Sequence, residues 1–117
     1  MSLRFFVLCA LAFLIPATAM PQSITGGAML PACKAFLAKT DSLTFGQGAC
    51  LGTVLTQMFN AHAAGGGTTL FCAPPNTSAA EGVQVTVSFL EANPQRLNEQ
   101  FNWLVVSAMQ KAWPCTK

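Results

Sequence analysis

From Ala28 onward, apolar stripes alternate with short polar breaks, and most of the stripes repeat at helical spacing. Met29, Cys33, Phe36 and Leu37 share one side of a helix predicted over about 28–39, with Lys34 and Lys39 on the other. Pro31 falls in the first turn, where a missing N–H removes no internal bond. A second helix is predicted over about 47–63. Leu51, Val54, Leu55, Met58 and His62 form its broad face, and Cys50 lies near its start. Gly52 lies inside it at a propensity cost of about 1 kcal/mol. "KTDSLTFGQG" connects the two helices, and "AAGGGTT" ends the second.

Two prolines in "LFCAPPNTSAAEG" force an extended path past Ala73. Ser78 and Glu81 then form an S-x-x-E capping box, which marks a helix start. The next segment reads two ways. "VQVTVSFL" alternates like a strand, yet Val83, Val87 and Leu90 also recur at helical spacing. A helix is favoured over 83–90, because a lone strand without a partner is not stable. Asn93 suits an N-cap and Pro94 the first position of a last helix. Leu97, Phe101, Leu104, Val105, Ala108, Met109 and Ala112 continue its stripe to Trp113, and Pro114 stops it. The prediction is all-α: a small four-helix bundle with short connectors.

The N-terminus breaks this pattern. "MSLRFFVLCALAFLIPATA" has one early cation, Arg4, then an apolar run from Phe5 to Ile15, then Pro16 and small residues. It reads as a signal peptide over 1–19. The run has eleven residues against the roughly 20 a membrane anchor needs. Cys9 sits inside it rather than after a small-residue box, which disfavours a lipoprotein signal. Residues 20–27 read as a flexible lead and 28–117 as a single helical domain. The chain of 117 residues is 52% hydrophobic and only 9% charged. After cleavage, Lys34, Lys39, Arg96, Lys111 and Lys117 face Asp41, Glu81, Glu91 and Glu99, a net charge near +1. That balance disfavours nucleic acid as a partner. No later apolar run reaches membrane length, so no membrane role is expected after cleavage.

Removing Cys9 leaves an even set of cysteines: Cys33, Cys50, Cys72 and Cys115. In an exported chain this reads as two disulfides, with three possible connectivities. The wide gaps disfavour a zinc site, whose ligands come in close pairs. If the last two helices are antiparallel, the proline turn and the chain end meet, which favours Cys72–Cys115. Cys33–Cys50 follows by elimination, although both then lie early in antiparallel helices, an awkward placement unless the helices cross at an angle.

Candidate chemistry is sparse. His62 stands alone, and the four acids are scattered with no close pair for acid–base work. The run "GGG" at 65–67 lacks the Lys-Ser/Thr of a phosphate loop. Asn76-Thr77-Ser78 fits a glycosylation sequon, but Ser78 is better explained as the helix cap. Trp103 and Trp113 are interface anchors or core residues. No enzyme activity, metal or cofactor is expected, and a binding or structural role is.

"FCAPP" at 71–75, "FLEANPQRL" at 89–97 and "LVVSAMQKAWPC" at 104–115 resemble the Rap/Tai immunity proteins of type VI secretion systems. Phe71, Cys72, Pro74, Leu90, Pro94, Trp113, Pro114 and Cys115 occupy that family's motif positions, and Cys50-Leu51-Gly52 matches its Cys-x-Gly element. Thr53 stands where the family often carries an aromatic. The resemblance implies a disulfide-bonded helical protein, periplasmic or secreted. It further implies binding and inhibition of a cell-wall (peptidoglycan) amidase effector. The alternative is a periplasmic stress or chaperone-like module, or another helical binding module of unknown partner. A homodimer is also an expectation, from the many Phe and Trp in so uncharged a chain.

Overall fold

The computed structural model describes residues 24–39, 42–63 and 70–116. The expected signal peptide with Cys9, residues 20–23 of the lead and the GGG run lie outside them. Four α-helices and one short 3-10 turn make up the described chain: α1 (Gly26–Leu37), α2 (Phe45–Ala63), α3 (Ala79–Ala92), the turn Pro94–Arg96, and α4 (Phe101–Ala112). The segment that reads two ways, 83–90, is helix within α3.

Each helix starts at a side-chain cap or a tertiary contact. Thr25 caps α1, its hydroxyl accepting from the Ala28 N–H at 3.2 Å. α2 starts at 45 rather than 47 because Thr44 and Gln47 cap each other. The Gln47 N–H donates to Thr44 Oγ1 at 3.2 Å and the Thr44 N–H donates to Gln47 Oε1 at 3.4 Å. α3 starts on the expected box: the Ser78 N–H donates to Glu81 Oε2 at 2.6 Å and the Glu81 N–H donates to Ser78 Oγ at 3.2 Å. The hydrogen bonds from Ser78, backbone first and hydroxyl second, hold the Glu81 carboxyl below its ordinary value of 4.5.

The last helix begins at 101, not at Pro94, and the reason is tertiary. The Gly27 N–H donates to Leu97 O at 2.9 Å, the Gly26 N–H to Glu99 O at 3.0 Å, and the Phe101 N–H to Ile24 O at 2.8 Å. The start of α1 thus takes carbonyls that a continuous helix would have used, and its own orphan donors are satisfied in exchange. Residues 24–27, expected as lead, are bonded into the domain, so α1 begins at 26. A Cβ on Gly26 would run into the Leu104 side chain. Asn93 provides no side-chain cap to the turn after it. Its Nδ2 instead donates back to Phe89 O at 2.8 Å and closes α3.

α3 packs against all three other helices, and α2 also meets α1 and α4. The core joins Met29 and Cys33 of α1, Cys50 and Val54 of α2, Val83, Val87 and Leu90 of α3, and Phe101, Leu104, Val105 and Met109 of α4. Gly82 marks the α2–α3 crossing. A Cβ there would lie 2.7 Å from Met58 Sδ and 2.8 Å from Val54 Cγ1. One turn on, Thr86 is fully buried, and its hydroxyl donates to Gly82 O at 2.9 Å.

Both disulfides form. Cys33–Cys50 has its Cα atoms 5.5 Å apart, and Cys72–Cys115 4.9 Å. The awkward geometry of the first bridge disappears with the true helix boundaries. Cys33 lies four residues before the end of α1 and Cys50 five after the start of α2, so both flank the connector and meet at one end.

Three outcomes follow from these contacts. Cys115→Ser opens a 43-residue loop and is expected to cost up to about 4 kcal/mol in chemical unfolding. A variant as stable as the parent would contradict the fastening role of this bridge. Gly82→Val should cost about 2 kcal/mol by forcing α2 and α3 apart, read from the same titrations. The Glu81 carboxyl has a lowered folded-state pKa, so its contribution is present above pH 4.5 and lost as pH falls through the lower folded value. Gln at 81 can still close the box. Stability should therefore fall less steeply with acid in Glu81→Gln than in the parent, and identical acid slopes would remove the cap from that account.

Candidate interaction surface

The motif residues converge on the scaffold. Phe71 is buried, and its ring lies 6.5 Å from that of Trp113 at 39°. The Cys72 N–H donates to Trp113 O at 2.8 Å. With the Cys72–Cys115 bridge, this clamps the end of α4 to the extended segment before α3. Pro74 O accepts from the Thr77 N–H at 3.2 Å and from Thr77 Oγ1 at 2.6 Å, and Asn76 sits at φ 66°. That is a type II turn with Pro75 and Asn76 at its centre. Pro114 follows the end of α4. Leu90 is buried in the core, and Pro94 opens the 3-10 turn. These positions fix the fold, and none is arranged for catalysis.

The polar surface is ordinary. Arg96 grips Glu99 through two bonds of 2.8 Å while its guanidinium lies 5.4 Å from the Phe89 ring centre. The hydrogen bonds with Arg96 hold the Glu99 carboxyl below its ordinary range. Lys34 and Glu91 link α1 to α3 at 3.6 Å, both exposed, which adds little stability. His62 falls in α2, and its side chain lies outside the described residues. Among the described residues, no group of three His, Cys, Asp or Glu could hold a metal ion. Nor is any helix among them long and apolar enough to cross a membrane.

The unusual surface is the outer side of α2. Its 19 residues carry no Asp, Glu, Lys or Arg. Phe45 is 94% exposed, Phe59 72% and Leu55 46%. At its C-terminal half, Leu55, Met58 and Phe59 face Ala73, Pro74 and Pro75 across a cavity of about 470 Å³. Large apolar side chains left open to water along one helix make this side a candidate contact surface. The helical pattern alone could not separate this face from the core, since Leu55 reads as core beside Val54. One signal marks the outer side as unusual without separating it residue by residue: no Asp, Glu, Lys or Arg occurs between Asp41 and Glu81. The Thr44-Phe45-Gly46-Gln47 box is likewise visible in the sequence as T-x-x-Q and sets the true start of this face. Trp103, 61% exposed, is a surface residue of α4, whereas Trp113 packs on the core.

The family profile of the Rap1a immunity proteins matches residues 25–115. Those limits run from the cap of α1 to the cysteine that fastens α4. No curated protein and no solved structure matches the chain. The match covers all four helices, both disulfides and the clamp between Phe71, Trp113 and the proline turn, and the chain belongs to the Rap1a immunity protein family.

Proposed function

We propose that this protein is exported to the periplasm and there binds and inhibits a cell-wall amidase delivered by a type VI secretion system. Membership of the Rap1a immunity proteins carries this reading, since an immunity protein acts on a secreted effector. Three features support the finer points. The N-terminal nineteen residues have the layout of a cleavable leader. Two disulfides suit an oxidising compartment. The low charge and scattered acids fit a partner that acts by occluding the effector's cleft, with no catalytic step of its own.

The separation of scaffold from surface bears on how inhibition would fail. The motif residues hold helices together, so changes there act through stability. Loss of inhibition at constant stability requires a change on the outside.

The test is reconstitution with the amidase effector encoded beside this gene. A one-to-one complex is expected, with peptidoglycan hydrolysis falling to background once the two proteins are equimolar. Hydrolysis that continues unchanged at excess inhibitor would overturn the reading. Cys115→Ser, assayed at a temperature where it is folded, should still inhibit fully, because the bridge fastens the scaffold and leaves the binding surface chemically unchanged.

A further inference from the structure

The two disulfides sit in opposite surroundings. Cys33 and Cys50 lie inside α1 and α2, and both are 0% exposed. Cys72 and Cys115 are both exposed, and both lie outside the helices, Cys72 in the extended segment before α3 and Cys115 beyond the end of α4. Thiol–disulfide exchange needs an attacking thiolate to reach a bridge sulfur, so its rate depends on access. A protein thiol also needs chain to lie along its cleft. The backbone around Cys33 and Cys50 is locked into helix, whereas the stretches around Cys72 and Cys115 are not and can be bound as extended peptide.

Opening the outer bridge leaves its neighbourhood held. The Cys72 N–H donates to Trp113 O at 2.8 Å, and the buried Phe71 ring lies 6.5 Å from that of Trp113. The Trp113 N–H donates to Met109 O at 2.7 Å, which ties this clamp to α4. None of these contacts needs the sulfur–sulfur bond. They hold Cys72 against the residue two before Cys115, so the two thiols stay close enough to close again. The inner bridge has no such course. Its sulfurs meet solvent only when α1 and α2 separate, and that is opening of the core itself.

We propose that Cys72–Cys115 is a thiol–disulfide exchange site, opened and reclosed in the folded chain by a dithiol protein of the thioredoxin-fold class while Cys33–Cys50 stays shut. A thiolate of the dithiol attacks one sulfur of the bridge. The electron pair of the S–S bond passes to the other sulfur, which takes a proton. The second thiol of the dithiol then attacks the mixed disulfide and releases the remaining cysteine as a thiol. The dithiol leaves oxidised to its own disulfide, and this chain has gained two electrons and two protons. The product is a folded form with thiols at 72 and 115, less stable than the closed one because its unfolded chain is less restricted. The exchange sets how long the unbound protein stays folded; it goes beyond inhibition of an effector and does not depend on it.

The purified protein in native buffer, treated with dithiothreitol or with thioredoxin kept reduced by its reductase, tests the site. Samples are quenched at intervals with iodoacetamide and mapped by peptide mass spectrometry. Cys72 and Cys115 are expected to be labelled first, with Cys33 and Cys50 slower by about 100-fold or more, since their labelling waits on core opening. Circular dichroism of the two-thiol form should match the parent in helical content. Its unfolding midpoint should fall to that of the Cys72→Ser/Cys115→Ser double variant, and oxidised glutathione should restore the parent's midpoint. Labelling of all four cysteines at one rate overturns the proposal. So does a bridge that resists both reagents until denaturant is added, one that dithiothreitol opens and thioredoxin does not, or a two-thiol form that has lost its helices.

Discussion

The Cys33–Cys50 bridge is the constraint on which the rest of the bundle is built. Both cysteines are fully buried members of the core, between α1 and α2 at the end where the connector joins them. The bridge fixes those helices where the chain turns from one to the other, and it closes a loop of 17 residues, worth about 3 kcal/mol at most. That is large against the 5–15 kcal/mol a domain of this size typically has. With α1 and α2 held, α3 has one surface to pack on, and Gly82 lets it approach to side-chain contact with Val54 and Met58. α4 then closes the bundle, and the second bridge fastens its end.

Most of this scaffold is legible in the residues because it rests on local rules. The Ser78–Glu81 box starts α3, Pro114 stands just beyond the end of α4, and an even number of cysteines after Cys9 gives two bridges. What the residues hide is tertiary. Leu97 and Phe101 read as one continuous stripe, yet the start of α1 takes the carbonyls of Leu97 and Glu99 and breaks it. No periodicity within 94–112 can reveal a competitor seventy residues earlier. Asn93 shows the same limit: its residue type suits an N-cap, but the Phe89 carbonyl offers its amide a better acceptor behind it.

The candidate surface was harder to read than the fold for a different reason. Periodicity locates apolar residues and does not say which of them face water. Val54 is fully buried and Leu55, its neighbour, is about half exposed. The motif positions add nothing here, since Phe71, Leu90 and Trp113 work inside the domain. Family membership therefore transfers the fold and the general role, and it marks none of the outer residues such as Phe45 and Phe59.

The cross-links and the exposed face are linked through stability. Leaving Phe45, Leu55 and Phe59 in water forgoes roughly 1.5–3 kcal/mol for each large side chain that could have been buried. A domain of this size has little reserve, because its surface is large relative to its core. Two disulfides supply that reserve without using surface area, by restricting the unfolded chain rather than adding contacts. The helix that carries the exposed face is held by the buried bridge near its start and by α3 along its inner side. A partner meeting this face would find its backbone already helical, so the ordering cost would fall on the exposed side chains alone.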